Sequence, residues 1–596
     1  MKNTIKAALA TPRIRLCDPE YNAGACALCA KEAEEAGAEI IVFPELVLTG
    51  ATAGDLYFQD ILIEAAESAL SSYVKSTAGL GIMSFIGLPI KHGQAIYNAV
   101  ACVLSGEIVG VSASALETRH FSSIRDGFKT VLAGFEVEVA RDNIYTCEGA
   151  DADVFVKVGD DNAFSSDSVN LIVNPIAMVE HLGLRSERRE YAMDVSASLG
   201  IPYLIVGAGE GESGTDGIYA APKLVSVSGE IIAECESFDE STLYAEIDTR
   251  VKKSKPRSAP EEAVAKRFPF VPEEDRELEL AFEIQSRSLA HRIERAYAKC
   301  AVIGVSGGLD STLAVLVAAR AMDIAGYSRD NVIAITMPCF GTTERTKGNA
   351  LALAEELGCT VRTIDIKAAV NQHFKDISHD EKKYDVVYEN AQARERTQIL
   401  MDVANAEGGM VIGTGDLSEL ALGFATYNGD HMSMYCVNGS VPKTLMRAMI
   451  GYLAEKHREE GRERLASVLY DIVNTPVSPE LLPVEDGESK QHTEEIVGPY
   501  ELHDFFLYYT VKLGYSPSRI LSLASEVFSD YDVEEVRSYL DIFVRRFFSQ
   551  QFKRSCLPDG PRVTEISLSP RGAWQMPSDV SSAVWKADLA RKVNNE

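Results

Sequence analysis

Residues 301–319 read AVIGVSGGLDSTLAVLVAA. The stretch opens with a short apolar, partly β-branched run, Ala301 to Val305, of the length and composition of a buried strand. It closes on a continuous apolar run beginning at Ser311, long enough for a buried helix. Between and around them lie Gly304, Val305, Ser306, Gly307, Gly308, Leu309, Asp310 and Ser311. Small residues at a strand-to-helix turn let the backbone approach a phosphate chain, whose charge is met by N–H groups and the helix N-terminus. We read the segment as a pyrophosphate-binding loop. Its spacing fits neither GxxxxGK[ST] nor GxGxxG.

Outward from this loop the same alternation continues. A helix is expected at Phe282–Ala298, then a strand at Ala301–Val305, a helix at Ser311–Met322, a strand at Val332–Thr336, a helix at Lys347–Leu357 and a strand at Thr360–Ile366. That order predicts an α/β fold with a doubly wound parallel sheet. The residues before it form a separate α/β or α+β region, 1–250, ending in short β-rich runs such as KLVSVSGEIIAE with a turn at Ser228-Gly229. Residues 251–278, rich in proline and charge, are read as a linker, and 279–596 as the second domain. In the first domain a helix over Asn22–Ala36 carries Cys26, Cys29, Ala30 and Ala33 on one face and stops at Gly37. The buried strand Ile40–Phe43 follows, with Glu45 just past its end, where α/β proteins place chemistry.

With 596 residues, two or more cores are the expectation. A formal net charge of -30 argues against a nucleic-acid binder that tracks the phosphate backbone, so anionic ligands must be held by local positive sites. The eleven Cys are scattered, and the one CxxC, Cys26 with Cys29, has no second pair to complete a zinc site. No signal peptide and no run of about 18 apolar residues is present, so a membrane role is not expected and a cytoplasmic location is.

The SGGLDS loop in this setting resembles the ATP-pyrophosphatase family. The downstream segments MVIGTGDLSELALGFATYNGD (410–430), VNGSVPKTL (437–445), YENAQARERTQIL (388–400), TPVSPELLP (475–483), QFKRS (551–555) and PRGAW (570–574) together are similar to the NAD synthetases within it. The resemblance implies a Rossmann-like domain that adenylates the nicotinic acid carboxylate of deamido-NAD with ATP, releases pyrophosphate, and lets ammonia displace AMP. It places ATP on Gly304 to Ser311 and Thr414, and Mg2+ on Asp310 and Glu419. Those are hard oxygen ligands suited to that cation. Lys443 and Lys553 match basic residues at the phosphates and the dinucleotide. Asn390, Arg396, Glu419, Phe424, Ala425, Thr426 and Tyr427 match the grip on deamido-NAD.

Residues 1–250 resemble the nitrilase-like glutaminase domain fused to many NAD synthetases, an α-β-β-α sandwich, through IVFPELVLTGATAGDLYFQD (41–60), GLPIKHGQAIYNAVACVLSGEIVG (87–110) and AGEGESGTDG (208–217). That glutaminase works with a Glu–Lys–Cys set, in which the thiolate attacks the amide, the Glu is the base and the Lys stabilises developing charge. Glu45 matches the Glu. Ser114 aligns with the Lys and Gly159, in FVKVGDD, with the Cys, so the nucleophile is missing and Glu45 is a vestigial base. The resemblance therefore implies an inactive glutaminase, free ammonia or an external ammonia source as nitrogen donor, and a homo-oligomer. Three alternatives stay open from sequence. Glutamine could be used through a displaced nucleophile, Cys147 in IYTCEGAD. The chain could be another ATP-pyrophosphatase acting on a different carbonyl, or a non-catalytic scaffold.

Overall fold

The computed structural model describes residues 4–159, 168–250, 265–341, 344–475, 484–485, 488–489 and 498–590. The chain divides into two units, 1–213 with 218–261 and 214–217 with 262–596.

In the first unit the period-two alternation of strands builds two sheets. Eight strands run in the order Leu243–Asp248, Thr4–Leu9, Ile40–Val42, Met83–His92, Ala95–Leu104, Glu107–Ala113, Phe135–Ala140 and Phe128–Leu132. Six more run Glu230–Glu234, Lys223–Val227, Tyr203–Gly207, Leu171–Ile176, Ala152–Val156 and Ile144–Cys147. Ile5, Ala7 and Leu9 of the larger sheet share the inter-sheet core with Val154, Val156, Leu171, Val173 and Leu204 of the smaller one. Ala8, Ile41, Ile86 and Leu88 point to the other face of the larger sheet. There they bury Cys26, Ala30 and Ala33 of the helix Pro19–Glu35, and Leu70 and Tyr73 of the helix Asp60–Ser76. The outer face of the smaller sheet, with Phe155, Ile172 and Ile205, packs on Ala192 of the helix Leu184–Leu199. The result is an α-β-β-α sandwich. The turn at Ser228-Gly229 has both residues at positive φ, 53° and 86°, as a tight two-residue hairpin loop requires.

The second unit holds a five-stranded, all-parallel sheet in the order Thr360–Thr363, Val332–Thr336, Ala301–Gly304, Met410–Gly413 and Tyr435–Cys436. The strand order reverses at Ala301–Gly304, which has Val332–Thr336 on one side and Met410–Gly413 on the other. A crevice opens at such a point outside the carboxyl end of the strand. The helix Leu309–Ala325 follows the loop and is buried on nearly every side, as its unbroken apolar run demands.

Several boundaries differ from those expected. The first helix of this unit is Asp275–Ala296, so the end of the expected linker is helical. Asp275 and Glu277 look like linker charge in sequence, yet acidic residues in a first turn favour a helix by opposing its dipole. Residues 251–264 of that linker, and 476–483 of TPVSPELLP, lie outside the described residues. The strand expected to reach Ile366 stops at Thr363, after which the chain turns into the helix Lys367–Asp376. Among the described residues, no helix is long and apolar enough to cross a membrane.

Candidate functional site

The loop after Ala301–Gly304 is held open by its own serines. Ser306 N–H donates to Ser311 Oγ at 3.3 Å, Gly308 N–H donates to Ser306 Oγ at 3.2 Å, and Ser311 Oγ donates to Gly308 O at 3.3 Å. Gly307 sits at φ +89°, a conformation a side chain would strain. Gly308 caps the helix without a side chain, so no capping group competes for the first-turn N–H groups that would face an anion.

Around this loop three helix starts converge. Asp310 lies in the first turn of Leu309–Ala325, Asp416 is the N-cap of the short helix Leu417–Leu422, which carries Glu419, and Lys443 is the first residue of the lysine helix Lys443–Glu459. Lys443 Nζ is 2.5 Å from Asp310 Oδ1, 2.7 Å from Asp416 Oδ2 and 3.0 Å from Glu419 Oε1. Burial opposes the Lys443 ammonium, but the three carboxylates outweigh it and hold its pKa well above the usual range. Burial likewise raises Asp416, and pushes Glu419 up to about 7, against the opposing pull of Lys443. One oxygen from each carboxylate lies within 4.8 Å of the others. Asp416 Oδ2 is buried and pairs with Lys443 by charge, without the alignment of a hydrogen bond. An all-oxygen donor set of this spacing fits a hard divalent cation such as Mg2+.

A second group borders the first. Phe424 N–H donates to Glu419 O at 2.9 Å across the left-handed Gly423, closing the short helix where the segment Phe424–Tyr427 begins. Thr426 Oγ1 donates to Asn390 Oδ1 at 2.7 Å, and Thr426 N–H to Asp430 Oδ1 at 2.6 Å. Tyr427 is exposed and stacks on His431, with ring centroids 5.4 Å apart. Arg396 Nε reaches Met337 O at 3.4 Å. Lys553 donates to Gly423 O and Ala425 O, each at 2.7 Å, so it ties down this segment through its carbonyls. Thr414 follows Met410–Gly413, and its carbonyl shares the amide of Asn438 with that of Asp310, at 3.1 and 3.0 Å.

In the first unit Asn98 joins Glu45 and Ser114, two of the positions compared with the glutaminase set. Its side-chain Nδ2 donates to Glu45 Oε1, and its backbone carbonyl accepts from Ser114 N–H at 2.9 Å. A Cβ added at Gly159 would lie 2.8 Å from Ser114 Oγ, and Gly159 holds φ +78°. Burial pushes Glu45 up to about 7, with the Asn98 hydrogen bond opposing and the charge of Glu212 adding. Glu212 is itself buried and accepts from Ala51 N–H at 2.7 Å and from Thr52 N–H at 3.1 Å. Gly87 permits this packing, because a Cβ there would meet Leu46 N at 2.4 Å and Pro44 O at 2.6 Å. Cys147 ends the strand Ile144–Cys147 and packs against the inter-sheet core, where burial and the charge of Glu39 raise its pKa.

Asp416, Asn438, Asn98 and Glu212 belong to these sites without being among the residues expected from sequence. Asp416 was legible, because Asp-x-x-Glu before an apolar run is a capping pattern, and its Oδ1 does accept from Glu419 N–H at 2.9 Å. The others are joined only by tertiary contact.

A fold of this kind, with an SGGLDS loop at the switch point and an acidic cluster about one lysine, defines an ATP-using ligase that forms C–N bonds. Residues 282–531 match the family described as NAD synthase, and residues 6–116 that described as carbon-nitrogen hydrolase. The glutamine-dependent NAD(+) synthetase of Mycobacterium leprae is 34% identical, covering 99% of this chain and 98% of its own. That of Thermotoga maritima is 27% identical, covering 96% and 98%. The crystal structure of a glutamine-dependent NAD(+) synthetase from Cytophaga hutchinsonii shares the fold with a TM-score of 0.81 at 19% identity, covering 99% of this chain and 100% of that one. The chain belongs to the glutamine-dependent NAD(+) synthetase family.

Proposed function

We propose that this NAD synthetase adenylates deamido-NAD and amidates it with ammonia, the first unit being an inactive glutaminase. The observation that carries the reading is Gly159, a residue without a nucleophile, whose missing Cβ would point at Ser114, the residue that aligns with the family's lysine. Cys147 packs against the inter-sheet core, and the burial that raises its pKa disfavours the thiolate that would attack an amide, which argues against it as a substitute.

In the second unit the Ser306–Ser311 loop would cradle the ATP phosphates. Asp310 and Glu419, with Asp416 beside them, would hold Mg2+, which supplies positive charge against the triphosphate and departing pyrophosphate. A carboxylate oxygen of deamido-NAD attacks the α-phosphorus and pyrophosphate leaves. Ammonia then adds to the acyl carbon, AMP leaves with the bridging oxygen, and a proton is released. Lys443 remains charged at neutral pH, so its part is a fixed positive charge rather than a proton donor. Asn390, Arg396 and Phe424–Tyr427 would grip the dinucleotide, and Lys553 would hold their segment in place.

The test uses the full chain with ATP, Mg2+ and deamido-NAD, and either ammonium or glutamine as sole nitrogen donor. NAD formation with ammonium and no glutamate release from glutamine are expected. Efficient glutamine use would overturn the inactive glutaminase. AMP release with XMP in place of deamido-NAD, or no NAD with ammonium, would overturn the substrate assignment.

A further inference from the structure

The carboxylate–lysine cluster is assembled from separate helices, and a residue outside it fastens two of them together. Asp504 lies in the aromatic helix Tyr500–Val511 and is 1% exposed. Its Oδ1 accepts from Ser418 Oγ, and its Oδ2 accepts from Thr444 N–H at 3.0 Å and Thr444 Oγ1 at 2.7 Å. Ser418 Oγ in turn accepts from Lys443 N–H at 2.9 Å.

These partners are the immediate neighbours of the cluster residues. Ser418 precedes Glu419 in the short helix, and Thr444 follows Lys443 in the lysine helix. The lysine helix begins after Pro442, which offers no side-chain cap, so its first N–H groups need acceptors from elsewhere. Ser418 and Asp504 supply them, and the Asp504 charge offsets the unfavourable placement of the Lys443 cation at a helix N-terminus. One turn earlier on the same face of the aromatic helix, the Tyr500 ring lies 5.5 Å from Lys443 Nζ.

We propose that Asp504 is a positioning residue for the synthetase reaction: by bolting the short helix to the lysine helix, it sets Lys443 against Glu419 and Asp416. The proposal rests on the cluster being the ATP and Mg2+ site. Asp504 touches none of the reacting groups, and acts through Ser418 and Thr444.

The experiment measures ammonium-driven NAD formation by the full chain as a function of Mg2+, ATP and deamido-NAD, each varied with the others saturating, for Asp504→Asn, Asp504→Glu, Ser418→Ala and the Asp504→Asn/Ser418→Ala double variant. A misplaced catalytic group costs up to about 100-fold. The expected result for Asp504→Asn is a loss of roughly 10- to 100-fold in kcat, with a higher Mg2+ midpoint and an unchanged KM for deamido-NAD. Asp504→Glu keeps the charge and should retain more activity than Asp504→Asn. Ser418→Ala, which buries no new charge and so keeps the test open if Asp504→Asn misfolds, should move the Mg2+ midpoint in the same direction. The double variant should be no worse than the more impaired single variant, because both cut one bridge. A Mg2+ midpoint and kcat within about twofold of the parent in the folded variants, or losses that multiply, would overturn the proposal. Activity of the parent with ammonium separates failure here from failure of the underlying functional reading.

Discussion

Each unit buries carboxylates at a strand or helix end, and they differ in what faces them. In the second unit Asp310, Asp416 and Glu419 surround the Lys443 ammonium. In the first, Glu45 has the neutral Asn98 amide for a partner, with the buried Glu212 adding charge of the same sign. The same desolvation penalty acts on both. A cation held inside the first arrangement turns it into a fixed electrostatic device, whereas the second leaves a high-pKa acid facing an amide and a second carboxylate.

The largest effect expected from breaking this contrast is at Lys443. Lys443→Met leaves three carboxylates facing one another and should lower kcat with ammonium by about 100- to 1000-fold, read as NAD formation. Mg2+ should partly offset the lost charge, so raising its concentration should recover some activity. A variant with parental activity would remove Lys443 from the reaction.

Next comes Gly159. Gly159→Ala places a Cβ 2.8 Å from Ser114 Oγ at φ +78°, and should destabilise the first unit by roughly 1–3 kcal/mol, read as a lowered Tm with ammonium-driven activity retained. An unchanged Tm would show that the site relaxes to accept a side chain.

Glu45 should produce a smaller, pH-dependent effect. Its pKa is about 7 when folded, against an ordinary 4.5, so both states are protonated at acid pH and only the unfolded state ionises between the two values. This contribution to stability is present below about pH 4.5 and is lost as pH rises through 7. Glu45→Gln should therefore be the more stable protein above pH 7, by on the order of 1–2 kcal/mol, with the difference vanishing toward pH 4.5. Denaturation of both proteins across that range checks the sign, and a difference that does not vary with pH would exclude it. The smallest effect is at Cys147, where Cys147→Ala should leave NAD formation with ammonium within about twofold, as for an unreactive half-buried thiol.

Much of this contrast was legible in the amino-acid order. The SGGLDS loop lies at the sheet's switch point, and Asp310, Glu419 and Lys443 meet although they are spread over more than a hundred residues. Ser114 and Gly159, read together from the alignment, are neighbours in space: a Cβ at Gly159 would meet Ser114 Oγ. Asp504 was not legible. It sits among aromatic residues in YELHDFFLYY, where only an acidic residue within an apolar run hinted at a buried partner. The role expected for Lys553 also changes in emphasis, because its ammonium is engaged by the carbonyls of Gly423 and Ala425.

By itself the sequence determined the alternation of strands and helices, the small residues of the nucleotide loop, and the absence of a thiol at position 159, because periodicity, backbone freedom and chemical identity are local properties. Tertiary structure decided that three carboxylates share one ammonium, that Asp504 fastens two helices beneath them, and that Glu45 faces an amide and a second carboxylate rather than a cation. Those are properties of distance and burial between residues far apart in the chain, and the strength of a charge depends on what folding brings beside it.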